Sequence, residues 1–298
     1  WTISSLSTAG EYRIPTGNRI VSAIQTRSEI LVFTDTDVYS MRFIGGVDIF
    51  QFTPLGTNVS CLSMHAPVDI NGIVYWPGLD NIYMYDGAVH IMPSSIGRYI
   101  FHQTGEGRYN FQQKEKIYVG TIGEFNEVIW LYPRWDETEI GHYIKYNHIE
   151  GLWDFGSIDR TVWTDKGIFA KVYALNVEGR LFAHETGLDA DGVPLNAFIT
   201  TAFFDIDDGN KLMYVDRVLP DITLPQTGAV QVSVSTKKYS NQDAPTITKG
   251  PYTLTNASKK LNLRARGRHM SLTFTCAATN SAFVLGKIRI SASADGGR

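Results

Sequence analysis

The sequence predicts an all-β molecule: β-propeller blades followed by a C-terminal antiparallel, sandwich-like β domain. Three observations support this. Short runs rich in Val, Ile, Tyr, Phe and Trp recur between Gly, Pro, Asn and Asp turns along the 298 residues. Several of these runs pair into hairpins that resemble one another. No apolar pattern of helical period lasts beyond two turns.

The elements follow in order. RIVSAI (19–24) reads as a first strand, and EILVFTDTDVYSMRF (29–43) as two strands joined by a polar turn. The same plan returns in NGIVYWPGLDNIYMYDG (71–87), in 126–151 and in KVYALNVEGRLFAHETG (171–187), with KIYVGTI (116–122) as a further strand. The spacing between hairpins is close to the blade length of about 40–50 residues seen in propeller repeats. Neighbours cover both faces of a blade, which explains why GIVYW and EVIWLY are apolar on both sides. Residues 19–190 hold about four such units, at the low end for a closed ring. Because residue 1 is Trp rather than Met, further N-terminal blades are expected. The propeller portion is placed at 1–196.

After GLDADGVP (187–194) the repeat fades and longer alternating strands take over, among them AVQVSVS (229–235). Strict alternation of period two belongs to a sheet with one wet face. The second β domain is placed at 197–298.

Composition narrows the function. Lys plus Arg number 27 against 30 Asp plus Glu, a net charge of −3, so no global positive field holds nucleic acid or an anionic surface. Only Cys61 and Cys276 occur, far apart, and they read as small buried hydrophobes rather than metal ligands or a disulfide framework. No apolar run reaches the length of a membrane helix.

Catalytic templates are missing: there is no G-x-S-x-G, H-E-x-x-H or phosphate-binding glycine loop. The seven histidines show no metal-binding spacing; His142 and His148 bracket one strand and stand roughly 20 Å apart. Asp205, Asp207 and Asp208, like Asp189 and Asp191, read as turn formers beside glycine. No cofactor or metal is expected. Trp76, Trp130, Trp135, Trp153 and Trp163 are candidate stacking platforms for a sugar, weighed against packing between blades. In NLRARGRHMSLTF (262–274), Arg264, Arg266 and Arg268 share one strand face, opposite Leu263, Ala265 and Gly267.

Several stretches also carry a family likeness: LVFTDTDVY, the WPGLDNIYMYDG hairpin, and RARGR with the later LGKIRI. With WTISSLSTAGEYRI they resemble the propeller-containing tail proteins of short-tailed bacteriophages, described as tail nozzle, tail tubular or packaged-DNA stabilisation proteins. The resemblance implies a non-enzymatic virion component located in the phage tail and made in the host cytoplasm. Such a protein would form a homo-oligomeric ring, typically of six copies, contact the portal or adaptor and other tail proteins, and conduct double-stranded DNA without reading its sequence. The net negative charge suits a conduit that does not grip its cargo. Arg264, Arg266 and Arg268 are then candidates for the subunit interface. The alternative function is a carbohydrate-binding propeller, such as a receptor-binding adhesin, and after it a propeller-type glycoside hydrolase using dispersed Asp or Glu pairs.

Overall fold

Four antiparallel meanders follow one another between Ile20 and His184. The computed structural model describes residues 10–45, 49–224, 228–241 and 245–296. Residues 1–9, on which part of the family likeness rests, lie outside the described residues. The chain divides into two compact units, one running to Glu185 and one beginning at Thr186.

In the first unit, the first blade contains β1 (Ile20–Gln25), β2 (Ile30–Thr34), β3 (Val38–Phe43) and β4 (Phe50–Gly56). The second contains β5 (Val68–Ile70), β6 (Ile73–Pro77), β7 (Ile82–Tyr85) and β8 (Val89–Ile91). The third contains β9 (Tyr118–Ile122), β10 (Glu127–Tyr132), β11 (His142–Asn147) and β12 (Leu152–Ser157). The fourth has three strands, β13 (Val162–Thr164), β14 (Val172–Leu175) and β15 (Leu181–His184). Within each blade, strands pair in chain order. The four hairpins read from sequence are β2–β3, β6–β7, β10–β11 and β14–β15.

Turn chemistry fixes these registers. Between β5 and β6, Asn71 and Gly72 both adopt positive φ (56° and 93°), the two-residue geometry that matches strand twist. As a result Ile70 pairs directly with Ile73.

β10 shows why the blades stack. Val128, Trp130 and Tyr132 enter one core with Leu31 and Phe33 of β2 and Trp76 of β6. Ile129 and Leu131 point the other way and join Trp163, Val172 and Ala174 of the fourth blade. A strand buried on both faces is hydrophobic throughout, and β10 is buried at five of its six positions. The third blade is thus covered by apolar neighbours on both sides, as a propeller requires.

The second unit places two sheets around one core. One sheet orders Ala197–Thr200, His269–Cys276, Ala229–Lys237 and Thr246–Thr255; the other orders Leu261–Gly267, Met213–Leu219 and Arg289–Ala294. Val230, Val232 and Val234 from the first sheet meet Val215, Leu263 and Ala265 from the second. The alternation expected for this region is present: Ala229–Lys237 alternates buried and half-buried residues, and Leu261–Gly267 alternates buried and exposed ones. Among the described residues no helix is long and apolar enough to cross a membrane. Cys61 and Cys276 are buried free thiols, and burial pushes the Cys61 thiol up to about 12.

Candidate functional site

Between β8 and β9 the chain leaves the strand pattern and forms a short helix, Gly97–Phe101, and a 3-10 segment, Phe111–Lys116. The stretch between them lies against the loop that joins β10 to β11. The Trp135 amide donates to the Arg108 carbonyl at 2.9 Å, and the Asn110 amide donates to the Pro133 carbonyl at 2.9 Å. The Asn110 side chain adds a bond from Nδ2 to the Glu137 carbonyl at 2.7 Å, while its Oδ1 accepts from the Gln112 amide at 3.0 Å. One asparagine thereby ties the loop to the start of the 3-10 segment.

Two glycines let the loop turn this tightly. A Cβ on Gly105 would meet the carbonyl oxygens of Tyr99, Arg98 and His102 at 2.3, 2.7 and 2.9 Å. At Gly107 it would fall 1.9 Å from the Tyr99 ring. The Gly107 carbonyl accepts a hydrogen bond from the buried Tyr132 hydroxyl at 2.8 Å, which anchors the loop to the end of β10. Burial raises the Tyr132 pKa well above the ordinary phenol range, so the hydroxyl stays a donor.

The result is a cavity of about 300 Å³ lined by Gln103, Thr104, Glu106, Arg108, Arg134, Trp135 and Asp136, with Gly105. This is at the lower end of the size of small-molecule sites. The Arg108 guanidinium carbon lies 4.6 Å from the Trp135 ring centroid, within cation–π range. Arg134 forms a two-point pair with Asp136: Nε to Oδ1 at 2.7 Å and Nη2 to Oδ2 at 2.9 Å. That carboxylate raises the Arg134 pKa above its ordinary value. Behind the pair, His142 Nδ1 and Glu137 Oε2 are 3.0 Å apart.

A second cleft, of about 240 Å³, lies at the other end of the same blade, where Glu127 pairs with Asn147 and Asn147 with Leu152. Its charges compensate one another: Lys145 Nζ stands 3.0 Å from Glu127 and 3.7 Å from Asp154. Trp153 also lines this cleft, and its indole packs on Tyr146 and Trp130, with Nε1 donating to the Pro93 carbonyl at 3.0 Å.

The five tryptophans named in the sequence reading therefore separate. Trp76, Trp130 and Trp163 are buried in the apolar cores, as packing between blades demands. Trp153 is half-buried against the same core. Trp135 alone among them is exposed, at 47%. No feature of its sequence neighbourhood distinguishes it, because PRW at the end of EVIWLY reads like the close of any buried strand.

The other candidates are placed as follows. Asp189 Oδ1 accepts from the Gly192 amide at 3.0 Å, and Asp207 and Asp208 adopt positive φ, so these acidic residues form turns. No group of three or more His, Cys, Asp or Glu side chains that could hold a metal ion occurs among the described residues. Arg264 and Arg266 lie on the exposed face of their strand. Arg266 Nε donates to Asp295 Oδ2 at 2.6 Å, and Arg268 Nη1 donates to the carbonyls of Gly209 and Asn210 at 2.8 and 2.7 Å. Arg266 and Arg268 therefore find a carboxylate and carbonyl acceptors within their own unit.

No protein-family model and no curated protein matches the chain. Solved structures to which it is similar include an exo-β-1,3-galactanase from Phanerochaete chrysosporium, with β-1,3-galactotriose, at 12% identity and a TM-score of 0.29. That match covers 90% of this chain and 80% of the other. A glycoside hydrolase matches at 9% and 0.28, covering 91% and 83%. A glycoside hydrolase family 43 arabinoxylan arabinofuranohydrolase from Bacillus subtilis matches at 10% and 0.27, covering 91% and 78%. These neighbours are enzymes, and none is a tail protein. The reading as a non-enzymatic phage tail nozzle is corrected on this finding, while the β-propeller expected with it stands. At these TM-scores the neighbours' substrates do not transfer to this chain, and its function rests on the geometry of the site.

Proposed function

We propose that the propeller unit binds a saccharide in the cavity walled by Trp135. The observation behind this reading is the exposed indole itself, set in a small cavity among planar polar side chains. An indole face stacks on the apolar C–H face of a sugar ring, and Tyr and Trp serve where one side of a contact is apolar and the other wet. Arg108, Asp136, Gln103 and Glu106 offer paired donors and acceptors for adjacent hydroxyls. The site is built on a rigid support, since Tyr132, Gly107 and Asn110 tie both of its loops to the third blade.

The test is a panel of neutral and acidic oligosaccharides titrated into the full chain and its Trp135→Ala variant, with release of reducing ends followed in the same samples. Binding by the parent chain, weakened at least about tenfold in the variant, supports the proposal. Absence of binding at millimolar saccharide, or binding unaffected by Trp135→Ala, refutes it. Release of reducing ends would extend the reading to hydrolysis.

A further inference from the structure

The two arginines of the cavity differ in how their donors are used. Arg134 is committed to Asp136 through two N–H groups and stands 3.8 Å from Glu137. Arg108 is committed to no carboxylate among the described residues. Its Nη1 donates to the Gln103 carbonyl, and its plane lies over Trp135. A guanidinium carries five N–H donors in a fixed fork, so most of the Arg108 fork remains unspent. Stacking on the indole and the bond to Gln103 hold it in place, which lowers the ordering cost of a new contact.

Two carboxylates line the cavity. Asp136 is neutralised by Arg134, and Glu106 sits on the exposed surface of the loop. Among the described residues Arg108 is thus the one cation of the cavity without an ion-pair partner, held in place by Gln103 and Trp135. A planar fork of this kind matches a carboxylate with two parallel hydrogen bonds, the geometry in which arginine surpasses lysine.

We infer that Arg108 is the specificity determinant of the site and selects a saccharide bearing a ring carboxylate, a uronic acid, over its neutral counterpart. The inference rests on the saccharide-binding reading and names the substrate class. In the bound state the apolar face of the sugar packs on the part of the indole that Arg108 leaves uncovered, while the Arg108 fork receives the carboxylate. Charge-assisted hydrogen bonds are about twice as strong as neutral ones, which sets the expected discrimination at about tenfold or more.

The experiment compares oligogalacturonate with the same oligomer fully methyl-esterified, so that the sugar skeleton is constant and only the charge differs. Affinities are measured for the full chain and for Arg108→Gln, Arg108→Lys and Trp135→Ala, with circular dichroism confirming that each variant folds. The acid should bind at least about tenfold more tightly than the ester at low salt, and the preference should shrink as salt rises. Arg108→Gln should abolish the preference, bringing the ratio of acid to ester affinity to about one, and Arg108→Lys should fall between. Equal affinity for acid and ester, with both lost in Trp135→Ala, would overturn the role of Arg108 while the saccharide site stands. Binding of both that Trp135→Ala leaves intact would overturn the site and the inference together.

Discussion

Arg108 and Trp135 lie 27 positions apart in sequence, yet the guanidinium carbon of one is 4.6 Å from the ring centroid of the other. A backbone hydrogen bond between the same two residues, 2.9 Å from the Trp135 amide to the Arg108 carbonyl, fixes the contact. The loop after the short helix and the loop after β10 are therefore one structural unit, and perturbing either should reach the other.

The first prediction separates this tryptophan from the buried ones. Trp130→Ala removes a fully buried indole whose Nε1 donates to the Ala66 carbonyl at 2.9 Å, and it should destabilise the first unit by about 3–5 kcal/mol. Trp135→Ala removes a half-exposed ring at the surface and should change stability by about 1 kcal/mol or less. Urea unfolding of the two variants checks the contrast.

A second prediction concerns the loop. Gly105→Ala places a methyl among three backbone carbonyls that cannot move independently. It should weaken saccharide binding while leaving the blade cores intact, read as lost affinity with near-unchanged far-ultraviolet circular dichroism.

Acid stability should depend on Glu29, whose side chain is 3% exposed and lies between the first two blades. Burial by itself would raise its pKa, but hydrogen bonds from Arg42, Ser40 and Tyr85 outweigh burial and hold the carboxyl below the usual range. A folded-state pKa below the unfolded value contributes stability that is complete above the ordinary Glu range, about 4.3. That stability fades as the pH falls through the folded value. Glu29→Gln should therefore cost about 1–3 kcal/mol near neutral pH, and the gap to the parent chain should close in acid. A gap that stays constant down to low pH would contradict this.

His184 supplies a second, separate pH dependence. Burial, aided by the nearby Arg160, lowers its pKa to about 4, so the ring is neutral at physiological pH. Its Nε2 accepts from Arg160 Nε at 2.9 Å. The unfolded chain binds this proton near the ordinary value of about 6.5, so stability is full above that pH and declines as the pH falls from there toward 4. Nuclear magnetic resonance titration of the ring, together with the flattened slope expected in His184→Gln, tests the sign and the window.

The central hairpins were legible in the sequence because strands covered on both faces need apolar residues at every position, and EVIWLY or GIVYW admit few other readings. Alternation made Ala229–Lys237 equally plain. Of the candidate site the sequence offered Trp135 only as one of five tryptophans, and the rest was not legible, for the opposite reason. Its loop, 102–108, is polar and irregular, and its shape depends on Gly105 and Gly107 meeting groups near 99 that no periodic pattern announces. The arginine row shows the same limit. Its shared face followed from strand geometry, but the Asp295 carboxylate that Arg266 reaches belongs to a strand end 29 residues away. Spacing revealed the face and left the partner hidden.

The most direct test of the saccharide site is to follow the indole N–H resonances of the six tryptophans while an oligosaccharide is titrated into the full chain. The account predicts that the Trp135 signal shifts with saturation and vanishes in Trp135→Ala, while Trp76, Trp130 and Trp163 stay in place. Saturable binding that leaves the Trp135 signal unmoved would contradict it.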